Sequence, residues 1–342
     1  MSYSHLWKNY GPDSWCVSQP TSYIIQQQKQ LLVMKDSSQR RFVSPLRYPG
    51  GKGKIANFVK LLFIHNNFLG HSYSELYAGG ASVALSLLYE EYASHIHIND
   101  LNRSIHAFWN AALNETEALC RLITDVDVTV EEWQRQKLVQ ADKSAEPLHL
   151  AFSTFFLNRT NRSGIINGGI IGGKKQDGEW KLDARYNKAS LVRRIEKIAR
   201  YRNRITLTQR DAADYIQNVL PMLPSKMFLY LDPPYYVKGE GLYEHFYQHD
   251  NHAEIARLVY AIDRPYIVSY DAADAILDLY KGYDDIAYGL RYSAAERYLG
   301  DEVMFFSPGL LHPLVDSPAN INNKIVQRAQ SDGLLLAEPT SV

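Results

Sequence analysis

An unbroken apolar run, Met227-Phe228-Leu229-Tyr230-Leu231, stops abruptly at Asp232-Pro233-Pro234-Tyr235. Five apolar or aromatic residues without alternation predict a strand buried on both faces of a parallel sheet. Such a sheet needs helices on each side, which makes the chain an α/β protein. The two prolines cannot continue a sheet ladder, so the strand ends there. Ligands of open parallel sheets bind outside the carboxyl ends of the strands, which is where Asp232 to Tyr235 are expected.

The tetrapeptide presents a carboxylate, a stiffly held carbonyl and an aromatic face together. An exocyclic amine on a nucleobase has two N–H donors and a lone pair delocalised into the ring. The Asp232 carboxylate and the Pro233 carbonyl suit those two donors. Accepting both would draw the nitrogen toward tetrahedral geometry and localise its lone pair. Tyr235 suits stacking on the base, a contact of roughly 1–3 kcal/mol in nucleic-acid sites. Taken alone, the same four residues also read as a loop in which Asp caps and Pro-Pro breaks.

A chain of 342 residues allows one large domain or two ordinary ones, and 46% hydrophobic residues suffice for a core. With 37 Lys and Arg against 37 Asp and Glu, no global basic field announces a nucleic-acid partner. Cys16 and Cys120 are too few for a disulfide framework or a thiolate metal site, and this composition fits a reducing cytosol. No apolar run reaches the ~18 residues that a membrane span needs. The 24 tyrosines are either half-buried packing or a surface on which bases stack.

Residues 1–44 lack periodicity and read as an extension; the organised sequence begins shortly after Met34, an alternative start. Arg47-Tyr48-Pro49-Gly50-Gly51-Lys52 precedes the helical pattern Ile55, Phe58, Val59, Leu62, Phe63. A nucleotide-triphosphate loop is excluded, because the first glycine is missing and Ile55 replaces Ser or Thr. The turn still offers backbone N–H groups to a carboxylate, with Tyr48 and Lys52 flanking it. Tyr73 to Leu76 reads as a strand entering Tyr77-Ala78-Gly79-Gly80-Ala81-Ser82, with a helix after it. Strand, glycine turn and helix begin a dinucleotide-type fold. His95 to Ile98 is the next strand, and Asp100 stands about 20 residues beyond the glycines, where ribose hydroxyls are read or a helix is capped. His95 with His97, and His245 with His249, lack the further ligands of a metal site, so no metal is expected.

From Arg103 to about Leu150 the pattern is helical, and residues 164–173 are a Gly-rich hairpin or loop. Between Arg159 and Arg204 there are 13 Lys or Arg against four Asp or Glu. Arg193, Arg194 and Lys197 fit a solvated helix face. Arg159, Arg162, Lys174, Lys175, Lys181 and Arg185 lie in polar loop sequence beside Trp180 and Tyr186, which favours phosphate contact. Further strands are expected at Ile205–Thr208, ending before Asp211, at Tyr266–Tyr270 and at Val303–Phe306, with a helix around Glu254–Ala261. Residues 237–251 suit a mobile lid, and beyond Pro308 the pattern dissolves into a polar tail.

With these landmarks in order, the chain from about Pro45 to Pro308 resembles the Dam-like (D12 class) DNA adenine-N6 methyltransferases. Arg47 to Lys52 looks like the N-terminal cofactor motif, Glu75 to Ser82 like the glycine motif, and Asp232 to Tyr235 like the catalytic motif. The resemblance implies S-adenosylmethionine as cofactor, held by Tyr48, Lys52, Glu75, Ala78, Gly79, Gly80, Asp100, Asp211, Ala212 and Asp232. It implies a Rossmann-like, doubly wound seven-stranded sheet with one antiparallel strand. Residues 45–102 and 205–310 then form the catalytic domain, 103–204 an inserted helical and basic target-recognition region, and 311–342 a tail. Asn158, Arg159 and Gly164 look like the start of that region; Asn158 and Arg159, with Arg162, Lys174, Lys175, Lys181 and Arg185, are the expected DNA contacts. The implied reaction flips adenine out of double-stranded DNA for direct in-line transfer, with Asp232, Pro233, Pro234 and Tyr235 catalytic. The implied setting is cytoplasmic, and a cognate restriction enzyme is left open as a second partner. Leu76-Tyr77 replaces the family's usual Pro-Phe, and the segment containing Gly168, Gly169, Gly172 and Gly173 differs from GATC-specific members. Cytosine-N4 transfer and a catalytically silent binding module remain alternatives.

Overall fold

The computed structural model describes residues 43–47, 52–237, 247–293 and 297–332. A single 3₁₀ turn, Lys52–Ile55, leads into α1 (Ala56–His65), followed by β1 (Ser72–Glu75), α2 (Ser82–Tyr89) and β2 (His95–Asn99). Five helices then intervene: α3 (Arg103–Asn114), α4 (Thr116–Asp125), α5 (Val130–Ala141), α6 (Pro147–Thr160) and α7 (Lys188–Arg200). The sheet resumes with β3 (Ile205–Thr208), β4 (Met227–Leu231), α8 (His249–Tyr260), β5 (Tyr266–Asp271), α9 (Asp274–Leu279), β6 (Asp285–Ser293) and β7 (Arg297–Phe306), and α10 (Asn323–Asp332) follows.

The seven strands lie in the order β3-β2-β1-β4-β5-β7-β6. Pairs among the first five are parallel, and β7 runs antiparallel to both of its neighbours. The strand order therefore has its switch point between β1 and β4, where Glu75 is in register with Tyr230. A doubly wound sheet opens its ligand crevice at that point, so the chain ends leaving β1 and β4 share one cleft.

The apolar run of β4 is buried along its whole length, as its lack of alternation requires. Phe228 and Tyr230 join Phe58, Val83 and Phe108 on one face of the sheet. Met227, Leu229 and Leu231 join Tyr215, Ile255 and Ile276 on the other. The fold is thus three layers, with α1, α2 and α3 covering one face and α8 and α9 the other. Among the described residues no helix is long and apolar enough to cross a membrane.

Two parts differ from the expectations raised by the sequence. β6 was not anticipated: its Asp285 and Gly289 break the apolar signal, yet it forms the sheet edge against β7. The tail beyond Pro308 does not simply dissolve. Ile325, Val326 and Ala329 of α10 are buried, and Asn57 of α1 donates from Nδ2 to the Ile321 carbonyl at 3.0 Å. These apolar residues at i, i+1 and i+4 give the helix one face to dock. Residues 1–42, including Met34, and 238–246 of the expected lid, including His245, lie outside the described residues.

Candidate active site

Asp232 is the first residue past β4, and among the described residues its carboxylate is held on one side only. Its Oδ1 accepts from Ser269 Oγ at 2.7 Å and pairs with Lys52 Nζ at 2.9 Å. Ser269 lies on β5, and its single proton goes to Asp232. The Tyr230 hydroxyl, 2.8 Å away, must therefore donate to Ser269. Lys52, at the entrance to α1, also reaches Ser269 Oγ at 3.2 Å and Glu302 Oε2 at 2.8 Å. Burial alone would lower the lysine pKa, but Asp232 and Glu302 outweigh it and hold Lys52 well above its ordinary value. Burial pushes the Glu302 carboxyl up, against the pull of Lys52.

The tetrapeptide is braced from its far end as well. Asp271 at the end of β5 accepts from the Tyr236 N–H at 2.8 Å and the Val237 N–H at 2.9 Å. Tyr235 donates its hydroxyl to Glu302 Oε1 at 2.6 Å, and Lys52 Nζ lies 5.5 Å from its ring centroid. Tyr235 is only 3% exposed, so the open stacking face expected from the sequence is covered in this conformation. Pro233 and Pro234 are buried, and among the described residues no hydrogen bond reaches the Pro233 carbonyl.

The glycine turn after β1 is pinned through its backbone. Gly79 has φ 46°, and its N–H goes to Asp100 Oδ2 at 2.8 Å, while its carbonyl takes Trp109 Nε1–H at 2.9 Å. Asp100 Oδ1 accepts from the Asn102 N–H at 3.0 Å. Asp100 does not cap α3; Asn102 does, accepting from the Ser104 and Ile105 N–H groups. Glu75 is buried and accepts from the Ala84 N–H at 2.9 Å and the Tyr73 hydroxyl at 3.1 Å. Burial pushes its pKa up to about 8 despite those two bonds. Asp211, beyond β3, accepts through Oδ1 from the Ala213 and Asp214 N–H groups and so opens the short helical turn that begins at Ala212. Asn99 ties these ends together, donating to the Leu76 and Arg210 carbonyls at 3.0 and 2.9 Å. Glu75, Asp100 and Asp211 therefore stand at the carboxyl ends of three adjacent strands, next to Asp232. Ala78 and Gly80 lie in the same turn, whereas Tyr48 lies outside the described residues.

Asn158 departs from its expected part in DNA contact. It is 1% exposed, accepts the Arg47 N–H at 2.7 Å, and donates to the Arg47 and Gly164 carbonyls at 2.6 and 2.8 Å. Its amide is wholly committed to backbone, and it fastens the segment leading into Lys52 onto the inserted region. Gly164 completes the seat: it has φ +79°, and a Cβ there would lie 2.6 Å from the Arg47 carbonyl oxygen.

Arg162, Lys174, Lys175, Lys181 and Arg185 are exposed, as DNA contacts must be. Gln176 organises their loop, donating to the Ile171 and Gly173 carbonyls at 2.8 and 2.6 Å and accepting the Leu182 N–H at 2.8 Å. The loop displays Trp180, 58% exposed, with the Arg185 guanidinium 5.5 Å from its ring. Arg159 is tucked lower, donating from Nε to the Arg185 carbonyl at 2.8 Å. Burial, with Arg47, Arg194 and Arg185 nearby, lowers its pKa to about 9. Among the described residues no carboxylate pairs with any of these four arginines.

Asn99, Trp109, Tyr230, Ser269, Asp271 and Glu302 were not singled out from the sequence. Each acts on the site across the sheet or from the next helix, so no local motif marks it. No three His, Cys, Asp or Glu side chains converge as a metal centre would require, among the described residues.

The modification methylase StsI of Streptococcus sanguinis is 25% identical over 224 residues, covering 61% of this chain and 31% of its own length. The chain thus spans about a third of that relative. Solved structures with similar folds include an rRNA methyltransferase, aviRa, of Streptomyces viridochromogenes, at 10% identity and TM-score 0.35, covering 81% of this chain and 89% of that one. A precorrin-6y C5,15-methyltransferase of Geobacter metallireducens aligns at 11% identity and TM-score 0.30, covering 73% and 86% of the two chains. The family model for D12 class N6 adenine-specific DNA methyltransferases matches residues 48–293, and the chain belongs to that family.

Proposed function

We propose that the chain methylates the exocyclic N6 amine of adenine within a particular sequence of double-stranded DNA, after that base has left the helix. The observation that carries this reading is the division of labour on Asp232. Lys52 and Ser269 hold Oδ1, which among the described residues leaves Oδ2 and the Pro233 carbonyl to accept the two N–H bonds of an amine. With both donors engaged, the nitrogen lone pair is turned toward the cleft below the glycine turn. An adenine stacked in duplex DNA cannot reach a carboxylate at a strand end, so it must be flipped out, at a few kcal/mol.

S-adenosylmethionine supplies an electrophilic methyl on a sulfonium when bound, and the residues at the switch point fit such a ligand. The pinned Gly79 turn allows close approach, Glu75 and Asp100 are anchored beside it, and Asp211 keeps Oδ2 clear of its capping bonds. The sulfonium's positive charge suits a pocket that holds Asp232 and Glu302 against one lysine. Positioning of amine and methyl in line supplies much of the rate. The attacked nitrogen becomes cationic and sheds its proton readily, with Asp232 as the nearest acceptor. The exposed cations of residues 162–185 and Trp180 suit phosphate contact and base stacking.

The test is transfer of labelled methyl to unmethylated genomic DNA, followed by nucleoside mass spectrometry, with Asp232→Ala alongside. The expected product is N6-methyladenine, absent with Asp232→Ala although cofactor binding survives. Near-normal transfer by Asp232→Ala would sink the mechanism. N4-methylcytosine as product would assign the amine to another base, and DNA binding without turnover would leave a silent binding module.

A further inference from the structure

We propose that Glu302 on β7, beyond the residues 48–293 matched by the family model, is a positioning residue that fixes Lys52 and Tyr235 about Asp232. The inference rests on the methyl-transfer reading and deepens it. The Glu302 side chain is 0% exposed, and its two oxygens have separate tasks. Oε1 takes the Tyr235 hydroxyl at 2.6 Å and Oε2 takes Lys52 Nζ at 2.8 Å. One rigid carboxylate thereby sets the distance between the tyrosine of the catalytic loop and the ammonium that grips Asp232.

Its neighbours Val303, Met304 and Phe305 are buried apolar residues, a setting that opposes an anion strongly unless it is paired. An apolar residue would fill this place on the sheet without that penalty, so packing alone does not account for a carboxylate here. The register points the same way. Glu302 is the cross-strand partner of Asp271, whose carboxylate holds the Tyr236 and Val237 N–H groups. One rung of the sheet thus clamps the loop twice, through the Tyr235 hydroxyl and through the backbone just after it. Glu302 also divides the charge of Lys52, so that Asp232 is not fully neutralised by its own counter-ion and remains a strong acceptor.

Two measurements on Glu302→Gln test this. The first needs no substrate: acylation of Lys52 in the cofactor-free protein, mapped by peptide mass spectrometry at pH 8. Loss of one of two counter-charges lowers the lysine pKa, so labelling should speed up at least threefold; an unchanged rate overturns the proposal. The second is single-turnover methyl transfer to genomic DNA. The rate should fall tenfold or more, while cofactor and DNA affinities should stay within threefold. Rate and affinities falling together would mark a merely structural residue and overturn it. If Glu302→Gln folds poorly, Glu302→Asp, which is one methylene too short to reach both partners, must show the same changes in smaller measure. A wild-type protein that leaves DNA unmethylated refutes the functional reading, and Lys52 labelling then decides the part played by Glu302.

Discussion

Replacing Lys52 by Met removes the cation that lies between two carboxylates and should expose the electrostatics of the site directly. In the intact protein Nζ stands 2.9 Å from Asp232 and 2.8 Å from Glu302. Asp232 keeps some access to water, with 18% side-chain exposure, but Glu302 has none. Breaking a buried pair by removing one partner destabilises by about 3–5 kcal/mol, because the remaining charge has no compensation. Glu302 can escape by taking up a proton, which sets a ceiling. From its ordinary pKa of 4.5, protonation costs about 5 kcal/mol at pH 8 but only about 1.4 kcal/mol at pH 5.5. The sign follows: an acid whose folded pKa is raised favours the fold below its unfolded pKa and loses that advantage as pH rises. The Lys52→Met deficit should therefore be several kcal/mol at pH 8 and shrink toward 1 kcal/mol at pH 5.5, in urea melts of mutant and wild type. A deficit below about 1 kcal/mol at pH 8, or one equal at both pH values, would refute the reasoning.

Glu75, with its pKa pushed up to about 8 chiefly by burial, holds a proton in the fold that the unfolded chain releases. Stability of the cofactor-free protein should fall as pH rises from 4.5 toward 8, and Glu75→Gln should flatten that slope in thermal melts. If Glu75 also holds a cationic part of the cofactor, affinity should tighten from pH 6.5 to 8 by up to about tenfold per unit, and the mutant should lose this in calorimetry. Asn158→Ala forfeits three bonds to the backbone of Arg47 and Gly164 and should destabilise by about 2–4 kcal/mol. The salt dependence of DNA binding should stay as in wild type. A preserved melting temperature with weakened DNA binding would return Asn158 to the DNA interface.

What the sequence announced was mostly local. β4 was legible because a strand buried on both faces needs no alternation, and Pro233 closes it chemically. The glycine turn and Asp100 were legible because the spacing of a strand, turn, helix and strand is fixed by geometry. Ser269 and Glu302 were not, because they act on Asp232 from 37 and 70 residues further along, through the pairing of β5 with β7. A Glu within Asp-Glu-Val-Met reads as a solvated strand residue until the register is known. Asn158 misled for a related reason. Polar sequence from Asn158 to Gly164 suggested a binding loop, but α6 continues through Thr160 and turns Asn158 inward while leaving Arg162 exposed. Helical phase, not composition, decided which of these side chains meets solvent.

That misreading exposes how the inserted region and the active site are joined. Residues 103–204 interrupt the chain between β2 and β3, and a pure insertion would touch the sheet domain only at its two ends. Instead Asn158 and the Asn161 carbonyl hold Arg47, Gly164 packs against its carbonyl, and the Arg194 guanidinium holds the Ser44 carbonyl at 3.0 Å. Arg47 is five residues before Lys52, the only cation paired with Asp232 among the described residues. Arg47 is therefore seated on the same helix, α6, that leads into the cationic loop. Four arginines that have no carboxylate partner among the described residues meet at this seat, and their mutual repulsion is relieved by any bound phosphate. A shift at the cationic loop that moved Arg159 or Arg185 would act on Arg47 first. In this arrangement the exposed cationic loop proposed to meet DNA and the α6 seat that holds Arg47 are parts of one packed unit rather than two modules joined by a linker.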